Sequence, residues 1–348
     1  YCIKQILKPN MSAKKPANIL EIVNQINRVS GITTFSNFFF QHPYLASFNK
    51  ITITSRPYLD LFFSISRSDV VYCHQLYSID IFVITLFCIL CRKRLILVSH
   101  GNLIIRQQSR YKKLFFLAVL RKILLLCKSS TQFLNESEKK RSIKITSSSF
   151  ICPPYLNCDS ELKKQINTVT PPGSEMSMNN VKYKFCYLGA SYYERKGFDR
   201  MFTMCSALIK AGKNIKLDLI GVHKTDMISE KVKQFQLNDV VSFIEPVYGE
   251  EKLKKLVNYD AMFLFSRSEG WPMVVLEAIN LKLPVIVSQE TNIAELVNKY
   301  EVGVMIDNFT DFEWIESLGL LALKRSEFCE DHKNNAGFAI IRDKFLCR

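Results

Sequence analysis

Between residues 181 and 306 short apolar runs alternate with helical patterns, and no other feature narrows the possible folds so far. The runs lie at 181–189, 215–221, 240–243, 261–265, 284–287 and 303–306. Each is short and bounded by Gly, Pro or polar residues, which predicts buried strands. Between them, 198–211, 229–236, 250–257, 272–281 and 293–299 carry the pattern of helices. Regular alternation of this kind predicts a parallel, doubly wound α/β sheet.

The most informative stretch inside that array is 263–277, FLFSRSEGWPMVVLE. Its apolar start ends a strand, and Ser266 to Gly270 form a polar turn. Pro272 stands where a helix begins, the place at which a missing N–H costs least. Free N–H groups of Met273, Val274 and Val275 are expected to face the loop and favour an anion. Glu269 and Glu277, separated by seven residues, add two carboxylates that accept hydrogen bonds from sugar or ribose hydroxyls. On spacing alone, a solvated loop acid and a first-turn helix acid are the better explanation of the pair.

Upstream, residues 190–197 (ASYYERKG) form the loop after the strand at 181–189. Arg195 and Lys196 are candidates there for a diphosphate, with a surface pair the competing reading. In the first half, 69–73 reads as a strand, the following pattern through Cys91 as a helix, and 95–99 as a buried strand ending at His100-Gly101-Asn102. A strand's C-terminal end is where open α/β sheets place their sites, so His100 is a candidate for a sugar hydroxyl or a developing charge. Residues 148–151 read as a further strand. Apolar residues at 19, 20, 23, 26 and 29 predict a helix over 17–29, and 32–35 reads as the next strand. Residues 2–7 suggest a degenerate first strand.

The chain has 348 residues, enough for two domains, each with its own core. A net charge of +15 implies negatively charged partners. The basic stretch 106–128, with Arg110, Lys112, Lys113, Arg121, Lys122 and Lys128 among apolar residues, reads as a helix on the sheet or as one lying on anionic lipid. The basic residues are dispersed and form no nucleic-acid-binding motif, so no nucleic acid partner is expected. Eleven cysteines, mostly scattered singly, suit a reducing cytoplasm. No Asp-x-Asp pair is present for a metal, and no run reaches the roughly 20 apolar residues of a spanning helix. The chain opens on Tyr1, so its true start is expected to be missing or misassigned.

Residues 263–277, followed by Leu283-Pro284-Val285-Ile286-Val287-Ser288, Glu295-Leu296-Val297 and Val302-Gly303, resemble the retaining glycosyltransferases of family 4, the glycosyl transferases group 1 enzymes. The resemblance covers about 181–306. It implies a GT-B fold: two Rossmann-like domains whose parallel doubly wound sheets face across a cleft. The implied division is an acceptor-side domain at 1–165, a linker at 166–180, a nucleotide-sugar-binding domain at 181–325 and a helical tail at 326–348, shortened relative to the family. It implies donor contacts from Arg195, Lys196, Gly270, Met273, Val274 and Glu277. Glu277 goes to the ribose, Glu269 to the transferred sugar, Lys196 to the diphosphate and His100 to the donor sugar, with Glu269, His100 and Lys196 as the catalytic set.

The implied activity is metal-independent transfer of a hexose-type sugar, with retention, from a nucleotide-sugar to a glycan or lipid-linked acceptor in cell-surface polysaccharide biosynthesis. No cofactor is expected beyond that co-substrate. The location implied is the cytoplasm, peripheral to the inner face of the membrane. Three departures stand out. Residues 9–17 hold no glycine where the family has a Gly-rich turn, Ala190 replaces a loop Arg for which Arg195 is the candidate substitute, and Thr291-Asn292 replace paired glycines. These departures keep a degenerate binding subunit open as an alternative, beside a nucleotide-sugar epimerase of the same fold.

Overall fold

Six parallel strands form the first sheet: β1 (Asn18–Ile22), β2 (Asn49–Ile53), β3 (Val70–Cys73), β4 (Arg94–Val98), β5 (Ser129–Phe133) and β6 (Ser148–Ile151). Their order is β2-β1-β3-β4-β5-β6. The computed structural model describes residues 18–23, 35, 39, 40, 42, 45, 49–53, 57–74, 76–104, 110–154, 183–321, 340 and 341. Side chains alternate across the pleat. Leu20, Ile22, Val71, Cys73, Leu95 and Leu97 pack with helices α1 (Tyr58–Arg67), α2 (Asp80–Leu90) and α3 (Arg110–Leu124). Ile19, Val70, Tyr72, Ile96 and Val98 belong to a second cluster with Phe35 and Phe39. The short helix α4 (Glu136–Arg141) follows β5, capped by Asn135, whose Oδ1 accepts from the Glu138 N–H at 2.7 Å.

The second sheet holds β7 (Tyr183–Leu188), β8 (Ile215–Ile220), β9 (Val241–Ile244), β10 (Ala261–Leu264), β11 (Val285–Ser288) and β12 (Gly303–Ile306), all parallel, in the order β12-β11-β10-β7-β8-β9. The intervening helices are the single turn α5 (Tyr193–Lys196), then α6 (Phe198–Lys210), α7 (Asp226–Gln234), α8 (Gly249–Leu256), α9 (Met273–Asn280) and α10 (Ala294–Lys299). A 3₁₀ helix at Glu313–Leu320 buries Trp314 against Phe185 and Phe263. The fold is therefore two parallel-sheet α/β units, as the alternation predicts. Strand order reverses between β1 and β3 in one sheet and between β7 and β10 in the other. Crevices for ligands open at the C-terminal ends of strands at such points.

Most departures from the sequence reading fall in the first half. The expected helix at 17–29 is strand β1, at least over 18–22, and the rest of that span lies outside the described residues. Ile19, Leu20, Glu21 and Ile22 are all buried because β1 is paired on both edges and covered on both faces, so its apolar residues do not alternate with exposed ones. Phe35, placed in an expected strand, is helical. The strand expected at 95–99 is β4, which opens at Arg94 and ends at Val98. The expected strand at 2–7, the glycine-free stretch 9–17, the linker 166–180 and the tail 326–348, apart from 340 and 341, lie outside the described residues.

Candidate functional site

The loop before α9 is built from both sides. Gly197 has φ +68° and sits against the end of β10, where a Cβ would come within 2.1 Å of the Phe265 carbonyl oxygen, so only glycine fits. Arg267 ties the same two loops: its N–H donates to the Arg195 carbonyl at 2.9 Å and its guanidinium grips Asp199 through two bonds of 2.8 and 2.5 Å. The result is that Lys196 Nζ lies 2.5 Å from Glu269 Oε1, which also accepts from Ser266 Oγ at 2.7 Å. Glu269 is thus a largely buried, paired carboxylate and not a solvated loop acid.

Glu277 lies within α9, 7% exposed at its side chain, and its Oε1 accepts from Lys252 Nζ of α8 at 2.7 Å. Its Oε2 is buried and has no protein partner among the described residues. A buried acceptor left open is costly, and such groups ask for an explanation. Pro272 caps α9 with extended backbone and no side-chain cap. The Val275 N–H, expected to be free, donates instead to the Pro272 carbonyl at 3.0 Å, because the first turn closes tightly at that point. Gly270 and Met273 line a cavity, and Val274 stands next in the helix.

That cavity, about 450 Å³, lies between the two sheets. The first unit supplies Phe35, His100, Asn102, Lys113 and Leu134; the second supplies Arg195, Glu269, Gly270 and Trp271. The Arg195 guanidinium stacks on Tyr192 at 4.4 Å from the ring centre. Backbones touch across the cavity: a Cβ on Gly270 would lie 2.8 Å from the His100 carbonyl oxygen, and one on Gly101 would lie 3.1 Å from Gly270 Cα.

Asn292 fastens this loop by donating from Nδ2 to the carbonyls of Glu269 and Gly270 at 2.7 and 2.8 Å, while its Oδ1 accepts from Arg141 of the first unit. Among the described residues no group of three or more His, Cys, Asp and Glu is placed to hold a metal.

His100 takes φ +46°, a left-handed backbone uncommon for a non-glycine residue. Its Nε2 meets His74 Nδ1 at 2.8 Å, and His74 Nε2 lies 3.2 Å from Glu21 Oε1. Burial holds the His100 imidazole well below the usual histidine range; nearby His74 adds to this and Glu21 opposes it. The adjoining Gly101 N–H donates to Glu138, whose other oxygen accepts from the Leu134 N–H at 2.7 Å. Burial raises the Glu138 carboxyl against those hydrogen bonds.

The sequence-predicted residues His100, Arg195, Glu269, Gly270 and Met273 therefore meet at one cavity, with Lys196 joined through Glu269. Glu277 sits behind it on α9 and pairs with Lys252. Sequence reasoning missed Glu21, Lys252 and Arg141. Only the buried position of an acid in an apolar run, Ile19 to Ile22, could have drawn attention to Glu21.

Comparison with known proteins agrees with this architecture. Residues 177–337 match the family described as Glycosyl transferases group 1. Protein CapJ of Staphylococcus aureus is 26% identical over 119 residues, which is 34% of this chain and 30% of that protein's length. The Anabaena Alr3699/HepE structure in complex with UDP superposes with a TM-score of 0.68 at 12% identity, covering 94% of this chain and 98% of that one. WaaG, a glycosyltransferase involved in lipopolysaccharide biosynthesis, gives 0.60 at 12% identity, covering 94% and 99%. The chain thus has the two-sheet GT-B fold, and its residues 177–337 match the Glycosyl transferases group 1 family.

Proposed function

We propose that this protein is a glycosyltransferase that moves a sugar from a nucleotide-sugar to an acceptor hydroxyl, with retention and without a metal, in the assembly of a cell-surface polysaccharide. The observation that carries the reading is the paired-carboxylate arrangement around α9. Glu269 is held by Lys196 at the cavity, and Glu277 keeps a buried oxygen open for a donor such as a ribose hydroxyl. UDP in the Alr3699/HepE structure, on the same fold, supports a nucleotide ligand.

In this reading the acceptor oxygen bonds to the anomeric carbon as the bond from that carbon to the diphosphate oxygen breaks. The electron pair leaves with the diphosphate, and the acceptor proton passes to that same oxygen, so attack and departure share one face. Lys196, Arg195 and the N–H groups of Met273 and Val274 supply the electrostatic stabilisation of the departing charge. Glu269 and His100 hold the transferred sugar. The cavity's first-unit wall, including Lys113, faces the acceptor.

The test is a thermal-shift panel of UDP, GDP, ADP and their sugars, followed by incubation of the stabilising donor with and without acceptor glycans. Nucleoside diphosphate release that depends on an acceptor supports transfer. Conversion of the sugar in the donor alone points to an epimerase, and absence of any nucleotide binding points to a non-catalytic subunit.

The same reading places the protein at an anionic membrane face. On α3, Tyr111, Phe115 and Val119 form one exposed apolar stripe, continued by Leu125 and Leu126, beside exposed Lys112, Arg121 and Lys122. No helix among the described residues is long and apolar enough to cross a membrane. Flotation with vesicles containing phosphatidylglycerol at low salt is expected to carry the protein upward; sedimentation apart from such vesicles contradicts the membrane reading.

A further inference from the structure

Two loops meet across the cavity: His100-Gly101 after β4 and Glu269-Gly270 before α9. One short helix of the first unit, α4, reaches both. Its buried Glu138 accepts from the N–H groups of Gly101 and Leu134, which ties the first loop to α4. Its last residue, exposed Arg141, donates to Asn292 Oδ1 of the second unit. Asn292 in turn donates to the carbonyls of Glu269 and Gly270, which ties the second loop. Gly101 and Gly270, whose backbones touch, are thus joined a second time through α4 and Asn292.

The direction of each bond is fixed by chemistry. A backbone carbonyl only accepts and a guanidinium only donates. The Asn292 amide can therefore be turned only one way, with its NH₂ toward the two carbonyls and its oxygen toward Arg141. Asn292 also stands on a firm base. Its neighbour Thr291 is buried and donates from Oγ1 to the Ser288 carbonyl at 2.8 Å, and Ser288 Oγ donates to the Ser266 carbonyl at 2.8 Å, where the Glu269 loop starts. An exposed charged contact such as that of Arg141 contributes little to stability, so what it orients matters more than what it stabilises.

We infer that Arg141 and Asn292 are positioning residues that set the Glu269-Gly270 loop of the second unit in register with the His100-Gly101 loop of the first. Without the Arg141 guanidinium, Asn292 still holds both carbonyls, but the loop loses its tie to the opposite wall. Without the Asn292 amide, both are lost. The tie stands on this geometry alone; its bearing on sugar transfer rests on the glycosyltransferase reading.

The experiment pairs hydrogen exchange, read by mass spectrometry on the full chain, with transfer kinetics. The variants are Arg141→Met, Arg141→Lys, Asn292→Ala and the double variant of Arg141→Met with Asn292→Ala. Arg141→Met should raise exchange several-fold in peptides spanning 266–272, although the substitution lies in the other unit, and should leave the urea midpoint unchanged. Its kcat should fall about fivefold with donor KM little altered, because the two walls of the site are held less accurately. Arg141→Lys keeps a donor and should recover most of both effects. Asn292→Ala should lower kcat further, by about 20-fold, and adding Arg141→Met to it should cost nothing more, because Arg141 acts through Asn292.

Wild-type exchange at 266–272 in Arg141→Met, or losses that add in the double variant, overturns the inference. If Asn292→Ala fails to fold, Arg141→Met and Arg141→Lys decide. If the wild type transfers no sugar, the functional reading fails while the exchange rates still judge the tie.

Discussion

Replacing Glu277 with Gln removes one charge while keeping the shape, and the structure says what that should do. Lys252 needs an oxygen at 2.7 Å, so the carboxamide keeps its oxygen there and turns its NH₂ group into the buried position now held by Oε2. An open acceptor becomes a donor at the place where a ribose hydroxyl is to donate. A hydrogen bond to a charged group contributes about 1.5–3 kcal/mol, which corresponds to roughly a 10- to 150-fold loss of affinity. Isothermal titration with the nucleoside diphosphate that most stabilises the wild type measures this directly. Its 2′,3′-dideoxy counterpart completes a double-mutant cycle. The wild type should lose a similar factor with the dideoxy compound, and Glu277→Gln should lose little more. Equal affinities of variant and wild type, or the same dideoxy penalty on both proteins, would refute the assignment of Glu277 to the ribose.

Glu269→Gln should reduce kcat by about 10²-fold or more at saturating donor with KM little changed, because it weakens the Lys196 pair at the reacting centre; an unchanged kcat speaks against that role. Gly270→Ala places a methyl group 2.8 Å from the His100 carbonyl oxygen, so backbone must move across the cavity. A cost of about 1–3 kcal/mol in urea unfolding and a kcat loss of about 10²-fold are expected, and wild-type kinetics in that variant would show the approach to be immaterial. Burial pushes the Cys205 thiol up to about 12 and raises Cys152 and Cys186 as well. Alkylation at pH 8 should therefore leave these three unmodified until the protein unfolds, and mass spectrometry of native samples finding them labelled would contradict the packing.

The second sheet was legible because each of its strands is a short apolar run closed by a turn residue. The first was less so, for two physical reasons. β1 is buried on both faces, so adjacent Ile19 and Leu20 replace strand alternation and, with Val23, pass for helical spacing. β5, by contrast, reads SSTQF and gives no apolar signal, yet it is fully buried. Most of its polar atoms find partners inside: Ser129 Oγ donates to the Leu124 carbonyl at 3.2 Å, Thr131 meets Thr146 at 2.8 Å and Gln132 Nε2 donates to the Cys152 carbonyl at 2.8 Å, while Gln132 Oε1 has no partner among the described residues. Satisfied polar groups can be buried at small cost, and no periodicity rule detects them.

At the site, local pattern made Glu269, Glu277, Lys196 and His100 candidates, and the resemblance to the glycosyl transferases group 1 enzymes chose them over the structural readings. Lys252 and Arg141 were not, since tertiary packing alone brings them to Glu277 and Asn292. Asn292 marks a position where the sequence departs from the pattern it was expected to resemble, and there the side chain fastens the Glu269 loop.

The most direct test is diffraction from a crystal soaked with the nucleotide-sugar that raises the melting temperature most. The account predicts density for the diphosphate at the start of α9 within reach of Lys196, with the ribose on Glu277 and the sugar between Glu269 and His100. A nucleotide bound elsewhere, with the cavity between the two sheets unchanged, would contradict it.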